Sequence, residues 1–471
     1  MASIQVDIAL GRPLSQRAAA VAAVAEDQWF DRKSVRVKPK DLAPLLVAFA
    51  NAEGGTVVVG MHAGSVEGIR RFKEQDNALR QASIDFTDPP VRMKVETVTC
   101  MRGDAVDELL VLRVSPGDRV HRTKSGDCYL RVGDETRALS HAQETELLYD
   151  RGQAQHDGEP ADGATREDLD SLMVKAFAAE IGHPDGDRVL NARSLLTRDR
   201  QLTNAAVLLF GKDPQVFFPS AFVRVIKYLG VQRETGSRMN ISEDERFEGA
   251  IPVVIRDAQA AIDRLMPTRR MLGAEGRFVE AQIVPRDAWL EGLVNAVVHR
   301  SYSLAGDHVR VEIFPNRVEI ESPGRFPGLV DVANPTRIPR FARNPRIARV
   351  CFDFHITQEL GEGIRRIFEE MQRAGLAEPM YRQTPGSVRL VMTASPALDA
   401  HIAATLPPGS LDVLRLLEHS ERQLGTGDVA DILKISRPTT LKRLNALRAA
   451  GLVAWHGKSS RDPRAYWTVD R

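Results

Sequence analysis

Two breaks in the chain, one without periodic apolar residues and one rich in proline, limit what it can fold into more firmly than any single motif. The first, Gln153 to Ala164 (QAQHDGEPADGA), is rich in Gly, Asp, Gln and Ala; the second, Thr393 to Ser410 (TASPALDAHIAATLPPGS), carries three of the chain's 26 prolines. The first has no periodic apolar residues and the second is broken by its prolines, so each predicts a connection between separately packed units. The expected organisation is a domain over 1–150, a linker at 151–164, a region at 165–392 with its core in 285–392, a linker at 393–408 and a small domain over 409–471. With 471 residues, 43% of them hydrophobic, each unit has enough apolar side chains for its own core.

Charge is balanced overall, with 64 basic against 63 acidic residues and a formal net charge of +1. Any affinity for a polyanion must therefore come from local clustering. Cys100, Cys128 and Cys351 lie far apart with no CxxC pair, which argues against a disulfide framework or zinc knuckle and for a reducing compartment. The apolar run Ala18 to Ala25 is short, alanine-based and followed by Glu26-Asp27, the wrong length and flank for a membrane span or secretion signal. The expectation is a cytoplasmic protein with no membrane segment.

Local patterns then fill the three units. Asp41 can start a helix with Leu42, Leu45, Leu46 and Phe49 at helical spacing, stopped by Asn51 and Gly54-Gly55. Thr56 to Gly60, Met93 to Thr99 and Leu109 to Val114 read as strands, which makes the first unit α+β. In the middle unit Ala205 to Phe210 and Ala221 to Tyr228 read as buried strands, and His308 to Phe314 with Arg317 to Glu321 as a hairpin across Pro315-Asn316.

The segment Asp287 to Arg300 (DAWLEGLVNAVVHR) predicts a helix with one apolar stripe, Leu290, Leu293, Val294 and Val297, and a second line, Glu291, Asn295 and His299, spaced by four. That second line is either a solvated face or a carboxylate and a carboxamide placed to orient a water and hold a hard cation such as Mg²⁺. After the hairpin come Ser322-Pro323-Gly324, an arginine- and proline-rich stretch, and Glu359-Leu360-Gly361-Glu362-Gly363-Ile364 opening a helix through Met371. Glycines at a helix start are either a tight loop or a place where free N–H groups meet phosphate. Between Pro315 and Arg349, seven arginines outnumber three acids, an excess that phosphate or nucleic acid would each satisfy.

Taken in order, a Glu-x-x-x-Asn helix, a hairpin ending in a glycine turn, a basic stretch and Gly-x-Gly before a helix resemble the GHKL ATPases of gyrase, Hsp90, histidine kinases and MutL. The likeness covers about residues 285 to 392 and implies a Bergerat-like α/β sandwich that binds ATP and Mg²⁺. Matched position by position, it makes Glu291 the catalytic, water-activating carboxylate, Asn295 the Mg²⁺ ligand, Gly324 the adenine-loop glycine, and Gly361 and Gly363 the phosphate-loop glycines. His299, Arg343 and Glu359 join the nucleotide-contacting candidates. Ser322 replaces the family's adenine-reading Asp, so the base would meet a hydroxyl in place of a charge-assisted acceptor.

Upstream, Asp31-Arg32-Lys33, AFANAEGGTVVVGM and Gly64-Ser65-Val66-Glu67-Gly68 resemble the Schlafen/AlbA-2 domain. That resemblance implies nucleic-acid binding. Some Schlafens cleave RNA with three acids at a metal; here Glu26 and Asp31 supply two, and Met61-His62-Ala63 offers no third, so binding is expected over cleavage. Glu26 and Asp31 can equally be a capping or surface pair beside Lys33.

The third unit reads as a winged helix: helices over Leu411 to His419, Asp428 to Leu433 and Pro438 to Ala450, then a hairpin of Leu452 to Trp455 with Ala465 to Val469. Its eleven Lys and Arg against seven acids include Arg437, Lys442 and Arg443, which join Thr439 and Thr440 early on the third helix, and Lys458, Arg461 and Arg464 on the wing. These are the expected contacts to duplex DNA, a protein partner being the other use of the fold. The three units in this order resemble a group of bacterial transcriptional regulators. The expected function is an ATP-binding, DNA-binding transcriptional regulator, a homo-oligomer of two or more chains, whose nucleotide occupancy modulates DNA binding. Two alternatives stay open: an ATPase, slow in turnover, coupled to Schlafen-like nucleic-acid processing, and a nucleotide-binding scaffold for protein partners.

Overall fold

The computed structural model describes residues 4–469 except 63, 184, 273–276, 327–334, 338–340, 358–361, 385, 398–401, 403–404, 419, 421–422, 434, 458–461 and 463–464. The N-terminal unit is a four-stranded sheet buried on both faces. Strands β1 (Phe30–Lys33), β2 (Gly55–Val59), β3 (Met93–Arg102) and β4 (Ala105–Val114) run in the order β1-β2-β4-β3, with β1 and β2 parallel and the others antiparallel. The continuous run Thr56-Val57-Val58-Val59 is explained by its neighbours. Val57, Val59, Leu110 and Leu112 pack under helices α1 (Pro39–Asn51) and α2 (Lys73–Asp85), while Val58, Leu109 and Val111 face the helices Ile4–Leu10 and Leu14–Ala23. With helices on both sides, neither set of alternating side chains can be polar.

Asn51 does more than end α1. Its Nδ2 donates to the carbonyls of His121 and Tyr129, both at 2.9 Å, and its Oδ1 accepts from His121 N at 2.8 Å. The side chain is fully buried, so its loss would leave His121 N and Tyr129 O unpaired at about 1–3 kcal/mol each, while His121 O keeps a contact with Cys128 Sγ.

The middle unit is built on a six-stranded mixed sheet. Strands β5 (Val223–Tyr228), β6 (Ile241–Phe247), β7 (Val309–Phe314), β8 (Arg317–Pro323), β9 (Met380–Gln383) and β10 (Ser387–Thr393) lie in the order β6-β5-β7-β8-β10-β9. Because β5 pairs in parallel with β7, residues upstream of 285 extend the same sheet, and one core cluster runs from Ala161 to Met392. Residues 153–164 are drawn into this packing: Asp157 is 1% exposed and accepts from Arg346, and Ala161 N donates to Leu202 O.

Ala205 to Phe210, expected as a buried strand, is a helix, Asn204–Phe210, with Thr203 capping its start by accepting from Ala206 N. Every residue in it is buried. A helix surrounded by protein needs no polar face, so the sequence carries no period of 3.6, and a seven-residue apolar run reads equally as a strand.

The helices cover one face of this sheet, and the other carries charge. Glu312 and Glu319 are directly opposed on β7 and β8, a like-charge pair that would repel. Arg233 Nη2 bridges both at 2.6 Å, and Arg389 joins Glu319 to Glu321.

The C-terminal unit has helices α3 (Ser410–Glu418), α4 (Thr426–Leu433) and α5 (Arg437–Ala449) and a hairpin of Val453–His456 with Tyr466–Val469, closed over Val413, Leu444, Leu447 and Trp467. Among the described residues no helix is long and apolar enough to cross a membrane.

Candidate nucleotide site and nucleic-acid surfaces

Helix α6 (Arg286–Val298) lies directly on β8 and β10, because Gly292 has no side chain to hold it off. A Cβ there would sit 2.8 Å from Leu390 and 3.0 Å from Ile320. This orientation turns Glu291 and Asn295 toward the start of helix α7 (Gly363–Arg373), so they are half-buried and not a solvated face. Asn295 Nδ2 donates to Glu291 Oε1 at 3.0 Å, and Arg366 Nη1 lies 3.4 Å from Glu291 Oε2. Burial raises the Glu291 pKa above the ordinary carboxylate value, with Arg366 and the Asn295 hydrogen bond pulling the other way. Gly363 closes over the pair: a Cβ on it would lie 2.0 Å from Glu291 Oε1 and 3.2 Å from Asn295 Nδ2.

Beside them is a cavity of about 420 Å³, within the range of small-molecule sites. Its floor is apolar, from Ala296, Ile320, Val388 and Leu390; Ser322, Gly324, Arg325, Phe326 and Phe341 form a second wall. Asn295, Glu362, Gly363 and Arg365 line the end where α7 begins. Ser322 Oγ donates to Ala296 O at 2.6 Å, which commits its proton and leaves its lone pairs as acceptors. Gly324 has φ +105° and its N–H donates to Gly386 O; a Cβ there would strike Ser301 at 2.7 Å. His299, the residue capping α6, also lines the cavity, and burial together with the Arg343 charge pushes its pKa down to about 4, so its ring is neutral near pH 7.

Arg343 does not stand in the cavity wall. It is 4% exposed, paired with Asp150, and donates to Ser301 Oγ and Arg325 O. The acid it pairs with comes from the N-terminal unit, which is why the basic stretch taken by itself points to a ligand. Glu359 and Gly361 lie outside the described residues. Two residues outside the motif join the site, Arg365 in the wall and Arg366 against Glu291. Their sequence signal is a pair of arginines in the first turn of the helix that follows Gly-x-Gly.

The cavity wall and its surroundings also touch the N-terminal unit. Arg325 Nη2, in the wall, is 2.7 Å from Glu53 Oε1, and Ser301, behind Gly324, donates its Oγ proton to Glu146 Oε2 at 3.0 Å. Gly152 packs so closely on Phe341 that a Cβ would lie 2.3 Å from the ring.

Within the N-terminal unit Asp31 is a structural residue. It is 3% exposed, with Oδ2 on Arg131 Nη1 at 2.9 Å and Oδ1 on Lys33 Nζ at 2.5 Å. Both oxygens are taken by cations, so Asp31 and Glu26 do not form an open pair of metal ligands. Glu26 pairs with Arg32 at the rim of a depression shared with Lys33, Ser34 and His62.

On the winged helix, Arg437 and Lys442 are exposed, Thr439 is half-buried with its hydroxyl 2.8 Å from Ser436 Oγ, and the Arg443 guanidinium lies over Gly409. Thr440 cannot reach DNA: it is fully buried and donates to Ser436 O at 3.1 Å, closing the first turn of α5. Lys458 and Arg461, expected on the wing, lie outside the described residues.

Comparison with known proteins finds three family matches along the chain. Residues 26–140 match the family model "Schlafen, AlbA_2", residues 306–392 the model "Putative ATP-dependent DNA helicase recG C-terminal" of the HATPase_c_4 type, and residues 410–457 the "IclR helix-turn-helix domain". The chain is a mixed α+β multidomain protein. It joins an AlbA_2 domain, an ATPase-like domain and a C-terminal helix-turn-helix. Together the matches suggest nucleotide and DNA binding. The crystal structure of the DIP2311 protein from Corynebacterium diphtheriae is 18% identical, covering 99% of this chain and 96% of that one, with a TM-score of 0.42. A search of curated proteins finds no match.

Proposed function

We propose that this protein is a DNA-binding transcriptional regulator in which ATP, with Mg²⁺, occupies the cavity beside α6 and alters how the domains are held together. The observation that carries this reading is that the cavity wall and the domain contact share residues: Arg325 and Phe341 line the cavity and also touch Glu53 of the N-terminal unit and Gly152 in the connection that follows it. A ligand that moves either residue is felt across the boundary, and by linkage a nucleic acid that shifts the N-terminal unit changes nucleotide affinity by the same factor.

The donor set fits the group. Asn295 spends its amide N–H on Glu291, which leaves its carbonyl oxygen for a hard cation, and the free N–H groups at the start of α7 suit phosphate. The cation, when bound, supplies charge neutralisation for the phosphates. Glu291 is the residue positioned to take a proton from an attacking water, and its cover by Gly363 favours slow turnover, so occupancy and not hydrolysis is the signal. Paired winged helices in a homo-oligomer would read spaced half-sites on duplex DNA, a role that belongs in the cytoplasm. The test is calorimetry of ATP with Mg²⁺, followed by duplex titrations with and without nucleotide. No ATP affinity at millimolar concentration would sink the site; affinity with no change in DNA binding would sink the regulation.

A further inference from the structure

The last turn of α6 gives one end of the cavity a fixed hydrogen-bonding polarity. Carbonyls at a helix C-terminus lack partners within the helix, and here Arg300 N bonds Val297 O, so the carbonyl of the buried Ala296 is left to another donor. Ser322 Oγ supplies it at 2.6 Å. The hydroxyl proton cannot turn into the cavity without orphaning that carbonyl, so Ser322 offers the cavity only an oxygen acceptor. His299 caps the same turn, three residues on from Ala296 and on the same side of the helix, and both residues line the cavity with Ser322.

The His299 ring is closed on one side. Its Nδ1 is buried and meets no hydrogen-bond partner among the described residues, so the ring faces the cavity with the side that carries Nε2. Burial and the Arg343 charge push its pKa down to about 4, so near pH 7 the imidazole is neutral and carries one proton. On Nδ1 that proton would be a buried N–H without an acceptor, an arrangement folded proteins rarely keep. The surroundings therefore assign the proton to Nε2, and His299 offers the cavity only a donor.

We propose that His299 reads the base of the nucleotide: its Nε2–H and the Ser322 oxygen set a donor beside an acceptor, a pair that matches adenine and opposes guanine. This rests on the reading of the cavity as an ATP site and names the group that makes it selective. Along one edge adenine presents the acceptor ring nitrogen N1 beside its exocyclic amine, a donor. Along the same edge guanine presents a ring N–H beside its exocyclic oxygen. In the same pose guanine would set N–H against N–H and oxygen against oxygen. Neither protein group can reverse to suit it, because Ser322 would abandon Ala296 O and His299 would bury an unpaired N–H at Nδ1. Selectivity then comes from polar groups that the wrong base leaves unpaired.

The experiment measures dissociation constants, each with Mg²⁺, of ATP, GTP and 1-deaza-ATP, in which ring nitrogen N1 is replaced by C–H, for the full chain and for His299→Phe and His299→Gln. The unaltered chain should bind ATP roughly ten- to a hundredfold more tightly than GTP or 1-deaza-ATP. His299→Phe keeps a ring of similar size and, since Nδ1 has no partner, leaves no protein group unpaired. In that variant ATP should fall to the level of 1-deaza-ATP, whose own affinity should change by less than about threefold. His299→Gln can turn either an N–H or an oxygen to the base, so it should recover part of the ATP affinity and narrow the gap between ATP and GTP. Equal binding of ATP and 1-deaza-ATP by the unaltered chain would overturn the proposal, as would a difference between them that survives in His299→Phe. The first of these comparisons uses no variant, so it decides the matter even where a substitution prevents folding. If the unaltered chain binds no nucleotide at all, the ATP reading itself fails, an outcome separate from these.

Discussion

Glu53, at the end of the first helix of the AlbA_2 unit, and Arg325, in the wall of the cavity beside α6, form a 2.7 Å ion pair across 272 residues of sequence. Gln28 holds the other Glu53 oxygen at 2.9 Å, so the acid is fixed from its own domain before it meets the arginine. The arginine in turn begins the stretch that returns to Arg343 and its buried pair with Asp150.

Breaking these two pairs should have different consequences. Glu53→Gln removes a partly exposed ion pair, so thermal stability should fall by no more than about 1 kcal/mol. ATP affinity should nonetheless change severalfold, because Arg325 is freed within the cavity wall. Asp150→Asn strips the counter-charge from the buried Arg343 and should cost about 3–5 kcal/mol in denaturant unfolding. Calorimetry and unfolding on the same preparations separate the two, and unchanged ATP affinity in Glu53→Gln would show that the ion pair transmits nothing.

Gly363 and Asn295 should be intolerant for separate reasons. Gly363→Ala places a methyl group where Glu291 Oε1 now lies, so α7 must move and nucleotide binding should be abolished while the winged helix keeps its DNA affinity. Asn295→Ala removes the one cavity oxygen read as a metal ligand and should abolish the Mg²⁺ dependence of ATP binding. Retention of that dependence would remove Asn295 from the role.

The pH dependence of any ATP turnover follows from Glu291. In the proposed role of general base it would act only when deprotonated, and burial raises its pKa, so the rate should fall on the acid side at a higher pH than an ordinary carboxylate would give. Arg366 is the main influence lowering that pKa, so Arg366→Met should move the acid limb further up. Glu291→Ala should stop turnover with binding largely kept. A profile that does not move in Arg366→Met would show that Glu291 is not the titrating base.

On the winged helix, the double change Arg437→Ala with Lys442→Ala should lower the slope of log affinity against log salt by about two, one for each phosphate that is no longer neutralised. Thr440→Ala should reduce the stability of this unit and leave the slope alone, since the hydroxyl is buried against Ser436 O. Duplex titrations over a range of salt check both, and an unaltered slope in the double variant would favour a protein partner for this helix.

How far the sequence reaches depends on whether an interaction is local. The Glu291 and Asn295 line is set by a spacing of four on one helix, so it can be read directly, as can the short apolar runs of β2 and β4 and the three helices of the winged unit. The helix Asn204–Phe210 cannot, because complete burial erases the polar positions that give a helix its period. Arg343 reads as a ligand contact because its true partner, Asp150, is 193 residues away, and Arg366 stays silent because its partner is 75 residues upstream. The sequence by itself determined the types of domain present and the residues on one face of α6. Only the tertiary structure decided which charges are already spent, since neutralisation depends on what folding brings within about 3 Å and not on order along the chain.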